Sequence, residues 1–377
     1  MTMSQSRQFL TDHLKGVAEI IDLGDYLTFK RVPSSTEPKH GYNFMAIDAA
    51  SQGSGVRLDF ETTASRLELE VAFDTVIFPG APEKPVQITV EVDGLTRNYP
   101  LSNLRYLGFP EFKPEGDLKF ETVEIDLGQG STSKRVILWF PHNAISYIAK
   151  LELNGVAQKH LSKEPKWVHY GSSISHAAEA DLPTGVWPVI ASRTLRLDVV
   201  NLGLAGNALA DPYMAQVILD HEPEFLSMKL GINSINAAGH VLRTFIPAVY
   251  GLLDTLLAKK PDLKILLISP IICPPHEEEF GPTIFDMQNF KATANPNSAF
   301  EIVPANLNTK RVRKALEDIT ANLRAQGANI RYLSGLDLMG QADGHLLEDD
   351  LHPNSEGQAL IGERFAKNPQ VAAWLAS

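Results

Sequence analysis

The chain has 377 residues, 44% of them apolar and 21% charged, with a formal net charge of −11. That length suits two or three domains, each able to bury a core, and an acidic chain without a Lys/Arg block is a poor partner for nucleic acid or an anionic membrane. Cys273 is the only cysteine, which excludes an intrachain disulfide and a cysteine-based metal site. No apolar run reaches the roughly 18 residues needed to span a bilayer. Met1 to Leu10 lack the charged-then-apolar layout of a secretion signal, so the expectation is a cytoplasmic protein with no membrane partner.

Residues 5–22 carry Phe9, Leu10, Leu14, Val17, Ile20 and Ile21 at roughly helical spacing and read as a short N-terminal helix. The period then changes. Residues 27–34, 42–47, 56–60, 66–73, 86–93, 119–125, 135–141 and 146–153 read as strands, Leu67-Glu68-Leu69-Glu70-Val71 alternating most cleanly. Turn signals separate them: Gly53-Ser54-Gly55, Pro79-Gly80-Ala81-Pro82, Asp93-Gly94, Pro114-Glu115-Gly116 and Gly128-Gln129-Gly130. Many short alternating strands without crossover helices predict an all-β sandwich or jelly roll over residues 1–160. Such a domain could bind a polysaccharide, shape a cleft or support its neighbour. Trp139 reads as a core or edge residue rather than a sugar platform. The polar stretch 156–166 marks the boundary.

Residues 161–377 alternate strand and helix. Strands are expected at Trp167–Tyr170, Val199–Leu202, Phe225–Leu230, Leu263–Ser269 and Asn329–Leu333. Helices are expected at Trp187–Leu195, Ala208–Leu219, 240–258, 307–326 and Ser355–Phe365. The fold class is therefore α/β, a doubly wound parallel five-stranded sheet with flanking helices. Ligand-facing residues of such a sheet lie in loops beyond the C-terminal strand ends, where Ser173, Gly206 and Asn233 fall after strands one, two and three.

The stretch Val168-His169-Tyr170-Gly171-Ser172-Ser173-Ile174-Ser175-His176 turns from a strand into a helix-compatible run through Ala177, Ala178, Glu179 and Ala180. A serine on such a turn is lifted above the sheet beside unpaired backbone N–H groups, and the plain alternative is Ser173 as a turn or N-cap residue. Near the C-terminus, Asp349 and His352 are three apart on a turn or first helical turn. That spacing lets a carboxylate brace an imidazole whose other nitrogen faces a serine, and Asp350 competes for the carboxylate role.

Taken together these pieces resemble the SGNH, or GDSL-type, esterase and acyltransferase superfamily. Gly171-Ser172-Ser173-Ile174 is similar to its first block, with Ser172 where the family usually has aspartate. Asn201-Leu202-Gly203-Leu204-Ala205-Gly206-Asn207 is similar to the second block and Gly231-Ile232-Asn233-Ser234 to the third, with Ser234 in place of a common aspartate. Asp349 and His352 match the last block. The resemblance covers about 167–377 and implies a Ser173, His352, Asp349 triad, with Ser173, Gly206 and Asn233 forming the oxyanion hole. A β-rich domain ahead of it looks like the layout of certain carbohydrate esterases and of acyltransferases of polyketide tailoring. Ser175 stands where a Gly-x-Ser-x-Gly elbow would need glycine, so an ordinary α/β-hydrolase fits less well.

His176 reads as a structural histidine or a pocket residue, and Asn207 as a loop or substrate residue. His276 with Glu277, Glu278 and Glu279 reads as a solvated loop rather than a metal site. Residues 273–306 are long for a connection, and Phe285, Met287 and Phe290 on them are candidates for the pocket wall. The expectation is a carboxylic ester hydrolase acting on an acetyl or short acyl ester of a carbohydrate or small-molecule alcohol, needing no cofactor or metal. Its rivals are an O-acyltransferase with the same acyl-enzyme and a non-catalytic carbohydrate-binding module.

Overall fold

The computed structural model describes residues 3–78, 80, 82–130, 132–295 and 306–377. Pro79 and Ala81 of the expected turn, and residues 296–305 of the long insertion, lie outside them. The chain forms two compact units: Met1–Lys163 with Ala180–Thr184, and Glu164–Glu179 with Gly185–Ser377. Among the described residues no helix is long and apolar enough to cross a membrane.

The first unit is β-rich. One sheet runs Leu14–Lys15, Arg57–Thr62, Lys134–Trp139, Gln87–Val92, Leu95–Pro100, with Ala157–Lys159 also on Arg57–Thr62. The other runs Glu19–Asp22, Leu27–Lys30, Ile145–Leu153, Arg66–Ile77, Leu104–Gly108, Lys113–Glu115, with Glu121–Asp126 also on Arg66–Ile77. Alternation explains the burial: Leu67, Leu69 and Val71 point inward and join Phe60, Phe73, Val136 and Leu138 in one apolar cluster. Asp93-Gly94 is a two-residue hairpin turn with both φ angles positive, 46° and 86°, between Val92 and Leu95. Trp139 is buried and donates to Glu91 at 2.8 Å.

Two N-terminal expectations need correcting. The helix expected over 5–22 spans Met3–His13. Leu14–Lys15 and Glu19–Asp22 are strands, because Gly16, at φ 84°, lets the chain turn and pair with Arg57–Leu58 and then Leu27–Lys30. Residues 42–47 are not a strand; Phe44–Ser51 is a helix capped by Asn43, whose Oδ1 accepts from Met45 N at 3.0 Å. Ala46, Ala49 and Ala50, buried at helical spacing, are the signal that a six-residue strand window cuts short.

The second unit holds the five-stranded parallel sheet, in the order Asp198–Gly203, Lys166–Gly171, Phe225–Lys229, Lys264–Ile268, Ile330–Leu333. Nearly every residue of its inner strands is buried, which requires cover on both faces. The first strand lies between the second and third, so the chain leaves in opposite directions on either side of it. Ligands of open α/β sheets bind at such a switch point, beyond the C-terminal strand ends. Trp167 stacks on Phe365 at 5.2 Å and meets Trp374 at 6.5 Å, fixing helices Ser355–Lys367 and Pro369–Leu375 to the sheet.

Candidate active site

Strand Lys166–Gly171 ends at the switch point, and Ser172 caps the next element. Its Oγ accepts from Ile174 N at 3.3 Å, so Ser173 is the first helical residue and not the cap. The helix is shorter than its sequence predicts. It ends at His176 because Ala177 takes a left-handed conformation, φ 61°, and the run to Ala180 leaves the helix. The serine turn packs tightly on the second strand. A Cβ on Gly203 would run into the backbone of Ser175 and His176, so only glycine permits this approach. Asn201 locks the same contact, with Nδ2 donating to Ser175 O at 2.8 Å and Oδ1 accepting from Gly203 N at 3.0 Å.

Ser173 Oγ lies 2.8 Å from His352 Nε2, and His352 Nδ1 lies 2.6 Å from Asp349 Oδ2. The serine and histidine are 179 positions apart in the chain. A closed loop brings Asp349 and His352 together: Leu347 and Pro353 form a β-bridge, and Glu348 N donates to His352 O at 2.8 Å. Within it Asp349 Oδ1 accepts from Leu351 N at 3.0 Å and His352 N at 2.6 Å. The following helix is capped by Asn354, and its Gln358 donates to Ile174 O at 3.1 Å and accepts from Trp187 N at 3.2 Å. That glutamine therefore holds the helix after the histidine against the serine's turn. Nothing in its sequence context marks it.

Electrostatics separates the candidate carboxylates. Burial pushes the Asp349 carboxyl up, but the His352 imidazolium and hydrogen bonds from His352 and Leu351 outweigh it and hold it below the usual range. Asp350 turns away to pair with Lys291 at 3.1 Å. Burial draws His352 down, yet Glu179, Asp349 and Glu348 carry it up to about 9.

The loops after strands two and three also meet. Asn233 Oδ1 accepts from Ala208 N at 3.0 Å, and Leu204 N donates to Gly171 O at 2.8 Å. Among the described residues, neither the backbone N–H of Ser173, nor that of Gly206, nor the Asn233 amide N–H donates to an acceptor. Asn207 shapes its own loop: its amide donates to Ala205 O, its N–H to Leu204 O, and its carbonyl accepts from Tyr170 Oη at 3.4 Å. His176 is buried, on the same short helix as Ser173.

The segment after strand four is only in part the expected solvated loop: Glu278 and Glu279 are exposed, but His276 and Glu277 turn inward. His276 is fully buried with Nε2 2.7 Å from Thr283 Oγ1, Glu277 pairs with Arg313 at 2.7 Å, and Glu278 pairs with Lys310. Arg313, on helix Thr309–Ala325, accounts for the difference, because its guanidinium also binds Pro270 O and Ile271 O and draws the loop inward. Thr283–Asp286 and Lys291–Ala294 pair as a hairpin, on which Phe285 and Phe290 meet edge to face at 5.2 Å and Met287 is exposed. Its second strand joins the acid's loop through Ala292 N, which donates to Asp349 O at 2.9 Å.

The fold is similar to that of the salicylyl-acyltransferase SsfX3 from a tetracycline biosynthetic pathway, with a TM-score of 0.77, 23% identity, and 96% of this chain and 94% of that one covered. It is also similar to a family two carbohydrate esterase from Cellvibrio japonicus, with a TM-score of 0.59, 14% identity, and 97% and 96% covered. Among curated proteins, 137 residues are 28% identical to Actin-depolymerizing factor 2 of Oryza sativa subsp. japonica, covering 35% of this chain and 88% of that protein. A match so short and distant bears on neither family nor activity. Residues 169–360, from the strand before Ser173 to the helix after His352, match the GDSL-like Lipase/Acylhydrolase family, and the chain belongs to that family.

Proposed function

We propose that the chain is a serine carboxylic ester hydrolase that removes an acetyl or other short acyl group from a carbohydrate or small-molecule alcohol. The observation that carries this reading is the continuous relay from Ser173 Oγ through the His352 ring to Asp349. In its neutral form His352 Nε2 takes the Ser173 proton as Oγ attacks the ester carbonyl, and Asp349 keeps the ring oriented and stabilises the imidazolium. The N–H groups of Ser173 and Gly206 and the Asn233 amide receive the oxyanion, each worth about 3 kcal/mol of barrier. His352 then protonates the departing alkoxide, leaving acyl-Ser173. Water, deprotonated by the same imidazole, releases the carboxylic acid and restores the serine.

O-acyl transfer is the second reading, favoured by the likeness over almost the whole chain to a salicylyl-acyltransferase. An acceptor hydroxyl would then replace water at the acyl-enzyme. The N-terminal unit enters the proposal as a two-sheet sandwich of the jelly-roll kind, on the ground that both sheets supply one core.

The test is a panel of acetylated sugars and of esters with short to long acyl chains, assayed with and without an alcohol acceptor. Free acid as the main product supports hydrolysis, and a new ester formed from the acceptor supports transfer. Ser173→Ala is expected to lose turnover by about 10⁴-fold or more while remaining folded. Full activity in that variant would sink both readings.

A further inference from the structure

His352 is approached at its Nδ1 edge by two carboxyl groups. Asp349 Oδ2 is 2.6 Å away and Glu179 Oε1 is 3.9 Å away. They are held differently. Asp349 Oδ1 takes two backbone N–H groups of its own loop, from Leu351 and His352. Glu179 Oε2 is buried and has no hydrogen-bond partner among the described residues. Glu179 follows the short Ser173–His176 helix by three residues, so the segment that fixes the nucleophile also fixes this carboxyl. At 3.9 Å it makes no hydrogen bond to the ring, but a negative charge at that distance strongly favours an imidazolium.

We propose that Glu179 is a positioning residue, a second carboxyl group at the Nδ1 edge of His352 whose charge holds the imidazolium and so sets the pH above which Ser173 is activated. The proposal rests on the Ser173–His352–Asp349 reading and adds the group that tunes it. The charged groups facing His352 are Asp349 and Glu348 from its own loop and Glu179 from the serine segment. Those facing Glu179 are His352, Asp349 and Glu348. Burial lifts Glu179 above the ordinary carboxylate range against the pull of the imidazolium, while His352 sits at about 9. The proposal requires that the carboxyl ionise before the ring gives up its proton, so that Glu179 is negative while His352 becomes a base. Asp349, held below its usual range, stays ionised throughout and orients the ring without responding to pH over that interval.

The test is Glu179→Gln in the full chain, with two readouts: NMR titration of the His352 ring, and the pH dependence of Ser173 labelling by a fluorophosphonate. Both midpoints are expected to fall by about one pH unit. Labelling below both midpoints, relative to the alkaline plateau, then rises about tenfold. A purely structural glutamate would change the plateau and leave the midpoints in place. Glu179→Asp, which keeps the acid and retracts it by one methylene, is expected to move both midpoints the same way by less, and it serves if the Gln variant does not fold. An unmoved His352 titration in a folded variant overturns the proposal. A lowered ring midpoint in a protein whose serine never labels upholds the coupling and sinks the nucleophile reading instead.

Discussion

Ser173 and Ser175, two residues apart on the turn after the first strand of the parallel sheet, each pair with a histidine, and the two pairs are chemically unlike. Ser173 Oγ is 2.8 Å from His352 Nε2, and Ser175 Oγ is 2.8 Å from His169 Nε2. The difference is at the far nitrogen. His352 Nδ1 meets a carboxylate, whereas His169 Nδ1 meets the Ser227 hydroxyl at 2.7 Å, which also accepts from Trp167 Nε1 at 2.8 Å. His169 is fully buried and packs edge to face on Trp187 at 4.6 Å. Burial, with the Lys229 charge adding to it, pulls His169 down to about 3, while His352 is carried up to about 9. A short Ser–His hydrogen bond is thus not what makes a nucleophile. The carboxylate behind the ring decides whether the imidazolium formed by proton transfer is stabilised or forbidden.

The comparison breaks most sharply if the carboxylate is removed. In Asp349→Asn the Ser173–His352 pair loses its charge partner, and the ring can settle in the wrong tautomer. Ester turnover is expected to fall by about 10⁴-fold with the fold intact. Phosphonate labelling of Ser173 should fall in parallel. A variant that kept a tenth of its activity would move the orienting role to another acid, such as Glu179, 3.9 Å from the ring. The converse substitution tests the Ser175–His169 pair. Ser175→Ala leaves His169 Nε2 buried without its partner, which is expected to cost about 1–3 kcal/mol of stability in urea unfolding. Turnover by the folded fraction should stay within a few-fold of the parent. Loss of labelling at Ser173 in folded Ser175→Ala would show that the Ser175–His169 pair is part of the reaction and not its support.

These two pairs were unequally legible in the sequence. The first is carried by residue types in an ordered series, so Ser173, Asp349 and His352 stand out and the structure brings them to hydrogen-bond distance. The five parallel strands were readable too, because strands buried on both faces leave continuous apolar runs such as Leu263–Ser269. The supporting layer left no such trace. His169 and Ser227 face each other only through the register of the first and third strands, and Gln358 reaches Ile174 across 184 positions. Periodicity cannot see register between distant strands. The short strands Leu95–Pro100, Leu104–Gly108 and Lys113–Glu115 are hidden for another reason: apart from the buried Leu107, their exposed or half-buried side chains leave no apolar alternation to read. Glu179 looked like part of a helix because Ala177-Ala178-Glu179-Ala180 favours one, and the left-handed Ala177 overrides that local preference.

The smallest expected effect sharpens the comparison through stability. His169, lowered in the folded chain from 6.5 to about 3, is neutral when folded and protonated when unfolded between those values. The unfolded state then binds the extra proton, so this contribution is complete above about pH 6.5 and is lost as the pH falls from there towards 3. The loss approaches about 1.4 kcal/mol per pH unit. His352 has the opposite sign: raised to about 9, its contribution is present below 6.5 and fades as the pH rises through 9. Comparing His169→Phe with the parent in urea unfolding at a series of pH values isolates the first term. The variant is less stable at neutral pH, since Ser175 and Ser227 lose their partner, but its stability should fall less steeply on acidification, by about one proton. An identical acid slope in the two proteins would mean that His169 is not held neutral in the fold. The contrast between a charged ring in the C-terminal loop and an uncharged one on the first strand would then fail.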